Sequence, residues 1–207
     1  MTRVLLASGN AKKLAELRRI LEPLVPGIEV VGLADVDPYP EPTETEPTFE
    51  GNALLKAREA ARRTGLPSLA DDSGLCVEAL NGMPGVLSAR WSGVSREGGR
   101  EQVDAANNRL LLAQLADIPE ERRGAVFRCA MALVLPDGTE MVEFGEMPGR
   151  ILPEERGAGG FGYDPLFAAD GYDVSTAELS REDKDAISHR GRALRAIAPR
   201  VAAALTA

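Results

Sequence analysis

The sequence predicts an α/β fold with a mixed twisted sheet and flanking helices. Short apolar runs of strand length alternate with amphipathic helical stretches, and one hairpin signal joins two late strands. No internal repeat or low-complexity linker interrupts the 207 residues, which suit a single domain over 1–207, with or without two lobes.

The elements follow in chain order. Residues 3–7 form a β-branched and leucine run that reads as a buried strand, and Ser8-Gly9-Asn10 is a turn. Over 11–24 the residues Leu14, Leu17, Ile20, Leu21 and Leu24 share one helical face, with Pro23 ending the regular helix. Residues 28–32 read as a second strand, and 34–47, rich in Asp, Glu and Pro, as an extended acidic loop. Thr48 can cap a helix running to Thr64, with Gly65 past its end. A strand over 68–70 is expected to stop at Asp71-Asp72-Ser73-Gly74 and to resume over 75–80. Residues 102–115 are helical, 125–135 are apolar on both faces as in a central strand, and Pro136-Asp137-Gly138-Thr139 turns the chain into a partner over 140–145. A glycine-rich loop at 157–162 precedes Tyr163-Asp164-Pro165, and a helix over 188–205, bent at Pro199, ends the chain.

Composition excludes several functions. A hydrophobic fraction of 44% and a charged fraction of 27% are those of a globular protein. No apolar run approaches the ~20 residues of a membrane span, and the amino terminus lacks the apolar core of a signal peptide, so the cytoplasm is the expected location. A net charge of −8 with 4% aromatic residues fits neither a nucleic-acid binder nor a base-stacking platform for single strands. Cys76 and Cys129 lie in strand-like stretches with no metal or redox spacing, as buried reduced thiols do.

Five constellations can carry chemistry. Ser8 to Lys13 spans a strand-to-helix junction, where unpaired N–H groups and the helix dipole suit phosphate; taken alone, a capped helix with a solvated lysine is the commoner cause of such a segment. Asn52 and Lys56, four apart, share a helix face beside the stripe of Phe49, Ala53, Ala57 and Ala60, and solvated polar residues would show the same spacing. Asp71 and Asp72 would repel unless a cation lies beside them, and Glu44 could add a third oxygen donor for Mg²⁺; an Asp-rich turn is the alternative. Residues 157–162 satisfy Gly-x-Gly-x-x-Gly, yet follow no strand and run into Tyr-Asp-Pro, so this is no dinucleotide fingerprint. Close approach to a flat ligand, with Phe161 as a stacking face, suits the loop better. Lys184 and Ser188-His189-Arg190 complete the set; with one histidine the chain supports neither a zinc site nor a Ser-His-Asp hydrolase, and it has no P-loop.

Taken together, SGNAKK (8–13), TFEGNALLKA (48–57), ADDSGL (70–75), PGVLSARWSG (84–93), GGFGYDPLF (159–167) and SHRGRAL (188–194) resemble the inosine triphosphate pyrophosphatase family, the XTP/dITP diphosphatases, from residue 4 to about 195. The resemblance implies hydrolysis of ITP, dITP and XTP to the monophosphate and pyrophosphate, removing deaminated purines from the nucleotide pool. It further implies a Mg²⁺ cofactor, two lobes around a central substrate cleft, and a homodimer. By motif position, Ser8, Gly9, Asn10, Ala11, Lys12, Lys13 and Lys56 would hold the phosphates, with Lys13 and Asp72 catalytic. Glu44 and Asp72 would bind the metal with Asp71 in support. Ser73 would contact substrate, and Phe161, Gly162, Tyr163, Asp164, Lys184, His189 and Arg190 would form the base pocket. Two departures stand out: Gly51 where the family often has Glu, and Trp91 where Tyr is usual. A nucleotide-binding regulator without turnover is the alternative class, and the intact Asp71-Asp72 pair with Glu44 argues against it.

Overall fold

The computed structural model describes residues 2–206. Strands β1 (Arg3–Leu6), β2 (Glu29–Val31), β3 (Ser68–Val77), β4 (Gly124–Val134), β5 (Glu140–Ile151) and β6 (Phe167–Ala169) form one sheet in the order β2-β1-β3-β4-β5-β6. The sheet is mixed: β1 runs parallel to both β2 and β3, whereas β6 lies antiparallel to β5. Helices α1 (Ala11–Leu21), α2 (Phe49–Thr64), α3 (Arg100–Gln114), α4 (Arg181–Ile187) and α5 (His189–Thr206) flank it, with short 3₁₀ turns between elements. Pro199 lies inside α5, which continues on both sides of it. Among the described residues no helix is long and apolar enough to cross a membrane.

The chain divides into two compact units. One comprises Met1–Asp72, Cys129–Gly145 and Arg190–Ala207; the other comprises Ser73–Arg128 and Glu146–His189. In the first, side-chain alternation along the strands sorts the core into two layers. Leu69, Cys129, Met131 and Leu133 pack with Leu17 and Leu21 of α1 and Leu194, Ile197 and Val201 of α5. Their neighbours Ala70, Ala130, Ala132 and Val134 pack with Ala53, Ala57 and Ala61 of α2. Alanine facing alanine lets α2 lie close to the strands. Thr48 caps that helix by accepting the Gly51 N–H at 3.0 Å, and Gly65 ends it at φ 68°.

In the second unit, Leu111 and Leu115 of α3 pack with Leu75, Val77, Phe127, Met147, Ile151 and Phe167. Arg123, 8% exposed, donates to the Leu115 and Ile118 carbonyls at 2.9 Å each, bracing the turn that follows α3. Cys76 and Cys129 are free and buried.

One expectation is corrected. Asp71-Asp72-Ser73-Gly74 is no turn, because β3 runs unbroken through it from Ser68 to Val77. Acidic residues mid-strand normally signal a break, but here partners on other elements satisfy both carboxylates. Smaller differences follow the same logic of tertiary support: β5 extends to Ile151 rather than Gly145, and β6 and α4 had no periodicity long enough to announce them.

Candidate active site

Adjacent residues of a strand point to opposite faces of its sheet, and this separates the acidic pair. Asp71 shares the side of Leu69, toward α1 and α5. Its two carboxylate oxygens each accept from Lys13 Nζ at 2.8 Å, and Oδ2 also accepts from Arg190 Nε at 3.1 Å. Burial alone would raise its carboxyl pKa, but the Lys13 and Arg190 charges hold it well below the usual carboxylate range. Lys13 is positioned by the start of α1, where the Asn10 side chain accepts the Lys13 N–H at 3.3 Å and Ser8 Oγ accepts the Asn10 N–H at 3.2 Å. Gly9 and Ala11 lie exposed in the same junction, and the Lys12 side chain falls outside what the structure describes.

Asp72 shares the side of Ala70, toward α2. Its Oδ2 accepts from the amide of Asn52, a fully buried residue, at 3.1 Å. Asn52 is held in turn by Glu46, whose N–H it accepts at 3.0 Å and whose carbonyl it bonds at 3.3 Å. One turn along α2, Lys56 Nζ lies 2.8 Å from Glu44 Oε1 and 3.5 Å from Asp72 Oδ1. Burial pushes the Asp72 carboxyl up, Lys56 opposes the rise, and Glu44 adds to it; the net direction is upward. A carboxyl raised in this way is a stronger base than an exposed aspartate.

The donor chemistry of Glu44 and Asp72 fits a hard divalent cation. Both carboxylates already converge on one positive centre, and both are oxygen donors as Mg²⁺ requires. Among the described residues no three His, Cys, Asp or Glu side chains surround a common metal position. Two protein carboxylates, with water and phosphate oxygens for the remainder, is how Mg²⁺ is commonly held. Asp71, grouped with them from the sequence, faces the other side of β3 and has both oxygens on Lys13 and Arg190.

The second unit gathers Phe161, Gly162, Tyr163, Asp164 and Lys184 around its glycine-rich loop, whereas Arg190, expected in the base pocket, bonds Asp71 in the first unit. Asp164, 5% exposed, is the hub: it accepts the Phe161 N–H at 2.7 Å, the Thr176 hydroxyl at 3.0 Å and the Lys184 ammonium. A Cβ on Gly160 would stand 2.2 Å from the Asp164 carboxylate, and φ there is 75°, so this wrap needs glycine. Phe161 is held outward and is 51% exposed. The Arg100 guanidinium carbon lies 4.6 Å, and Lys184 Nζ 5.2 Å, from the ring centroid. The Gly162 N–H donates to Asp104 at 2.8 Å, and the Asn108 amide donates to the Gly162 carbonyl at 3.2 Å. Tyr163 is buried, with its hydroxyl donating to the Ser88 carbonyl at 2.9 Å. His189 stacks on Phe127 at 5.0 Å and 13° between planes. Ser73 is half-buried in β3.

Sequence reasoning missed Arg100, Asp104 and Asn108, which support the loop from α3. The available signal was Asn107-Asn108 in mid-helix, a pair that disfavours helix unless its amides have other work. Both are buried, and Asn107 bonds the Ser92 N–H and the Ser88 carbonyl.

Residues 4–200 match the Ham1 family. The chain belongs to that family. Among relatives of this Ham1 chain, the dITP/XTP pyrophosphatase of Nocardia farcinica is 63% identical over 204 residues, covering 98% of this chain and 96% of the relative. That of Mycobacterium tuberculosis is 58% identical over 200 residues, covering 96% and 95%. Among solved structures, the nucleoside-triphosphatase, or dITP/XTP pyrophosphatase, of Mycobacterium abscessus superposes with a TM-score of 0.80 at 56% identity, covering 96% of this chain and all of that one. A HAM1 protein from Coxiella burnetii gives 0.87 at 39% identity, with 97% and 98% covered.

Proposed function

We propose that this chain hydrolyses the non-standard purine triphosphates dITP, XTP and ITP to the nucleoside monophosphate and pyrophosphate, the activity for which its relatives are named. The observation that supports the division of roles is the opposite facing of Asp71 and Asp72. Asp71 fixes the cations Lys13 and Arg190, whereas Asp72, with Glu44, is left for a metal and the attacking water.

Bound Mg²⁺ would supply Lewis-acid relief of the charge that develops on the phosphate oxygens. Lys13, held by Asp71 at the amino end of α1, presents its charge and the junction of residues 8–13 to the triphosphate. The Asp72 carboxylate accepts the water proton as the water oxygen bonds to the α-phosphorus and the bond to the pyrophosphate oxygen breaks. Asn52 keeps one Asp72 oxygen oriented during this transfer. The exposed Phe161 ring offers a face for the purine, and Lys184 beside it donates to a 6-oxo acceptor, which hypoxanthine and xanthine carry. Adenine presents a 6-amino donor there and leaves that ammonium unmet. By family resemblance the chain acts as a homodimer in the cytoplasm, and light scattering should give twice the 22.0 kDa of one chain.

Pyrophosphate release from ITP, XTP, GTP and ATP, with Mg²⁺ and with chelator, tests the reading. ITP and XTP should turn over at least about a hundredfold more efficiently than ATP, chelator should stop the reaction, and Asp72→Asn should abolish it. Release of orthophosphate instead of pyrophosphate, or equal efficiency on ATP, would refute it.

A further inference from the structure

The cations around β3 are not equivalent. Lys13 grips both oxygens of Asp71 at 2.8 Å, a fixed two-point contact shared with Arg190. Lys56 instead touches Glu44 Oε1 at 2.8 Å and stands off at 3.5 Å from Asp72 Oδ1, so a single ammonium lies against both carboxylates read as the metal pair. Its side chain is 15% exposed, and Glu44 belongs to the acidic loop preceding α2, outside any helix or strand. Mg²⁺ needs oxygens at about 2.1 Å, and an ammonium against the same oxygens would repel it at only a few ångströms. Both cannot keep these contacts.

We propose that Lys56 is an exchanging counter-ion. It neutralises Glu44 and Asp72 until a divalent cation takes their oxygens, and the displaced ammonium then bonds the phosphate oxygens of the incoming nucleotide. This rests on Glu44 and Asp72 being the metal ligands. The exchange links two events: metal entry frees a phosphate-binding charge, and phosphate capture keeps that charge off the carboxylates. By reciprocity, each raises the affinity of the other. It also keeps two carboxylates near α2 from standing uncompensated when no metal is bound. A lysine suits this task better than an arginine, since its ammonium is a point charge on a flexible stem rather than a planar fork matched to one carboxylate.

Mn²⁺ binding to the nucleotide-free, full-length protein, followed by electron paramagnetic resonance, tests it without reference to turnover. Lys56→Met should bind Mn²⁺ about tenfold more tightly than the parent, while Lys13→Met, which removes an equal charge from Asp71, should change the affinity less than about twofold. Lys56→Gln, which retains a donor for Glu44, should move in the same direction and stands in should the methionine variant misfold. Equal affinity in parent and Lys56 variants, or equal tightening by Lys13→Met, overturns the exchange. In that case loss of Mn²⁺ binding on Asp72→Asn would still uphold the metal site. Absence of Mn²⁺ binding to parent and variants alike overturns the metal assignment and the exchange with it.

Discussion

Replacing Asp71 with asparagine removes one charge from a three-residue cluster and leaves two cations facing an amide. Its side chain is 2% exposed, against 22% for Lys13 and 19% for Arg190. Breaking a buried pair from one side costs about 3–5 kcal/mol. Because both cations keep some contact with water, and the asparagine oxygen still accepts one hydrogen bond, the lower end applies, ~3 kcal/mol. For a chain of this size that corresponds to a fall in Tm of ~6–12 °C. The sign of the pH dependence follows from the depressed carboxyl. Below about pH 3.9 the unfolded aspartate takes up a proton that the folded one still refuses. The stability due to Asp71 is therefore complete above that pH and is lost as the pH falls through the folded pKa. Urea unfolding followed by circular dichroism at pH 7, 5, 4 and 3 should show parent and Asp71→Asn far apart at neutrality and converging in acid. A deficit under about 1 kcal/mol at pH 7 would refute the reasoning, as would a gap that fails to narrow on acidification.

Two further substitutions probe the second unit. Phe161→Ala should raise KM for ITP by roughly fivefold to 150-fold, the loss of one base–aromatic stack of about 1–3 kcal/mol, with kcat and Tm little changed because the residue is 51% exposed; an unchanged KM would move the base elsewhere. Arg123→Met strands the Ile118 carbonyl and leaves the Leu115 carbonyl with the Ile118 N–H alone. It should cost about 1–3 kcal/mol in chemical denaturation and leave kcat/KM per folded molecule unaltered, and a selective loss of activity would contradict that purely structural role.

The fold was legible wherever one period ran long enough to be counted. The apolar stripe of α1, the cap and stop of α2, and the doubly apolar run of β4 all lie within a few residues of where the pattern places them. The three-residue strand β6 and the seven-residue α4 carry too few turns of any period to be seen. At the site, the motifs identified Asp71, Asp72, Lys13 and Lys56 by type and spacing, but local propensity argued for a turn where β3 is continuous. Propensity could not anticipate that Lys13, 58 positions away, and Arg190, 119 positions away, would stabilise Asp71 in mid-strand. Once the strand is known, alternation assigns each carboxylate its face. Arg100 and Asp104 stayed hidden for another reason: polar residues in the first turns of a helix look the same whether they face water or brace a loop.

The helix-start glycine bears on how this protein could be stabilised. Replacing glycine by alanine inside a helix ordinarily adds stability, because the unfolded chain loses freedom and the helix gains a better former. At Gly51 a Cβ would lie 2.6 Å from Glu46 Cβ and 2.9 Å from Glu46 Cγ, too near to the main chain for a side-chain rotation to relieve. Glu46 is the residue whose backbone clasps Asn52, and Asn52 orients Asp72. A thermostabilising design guided by helix propensity alone would therefore press on the acidic loop and, through it, on the Asp72 carboxylate proposed as the base. The absent methyl group is part of the scaffolding that orients Asp72.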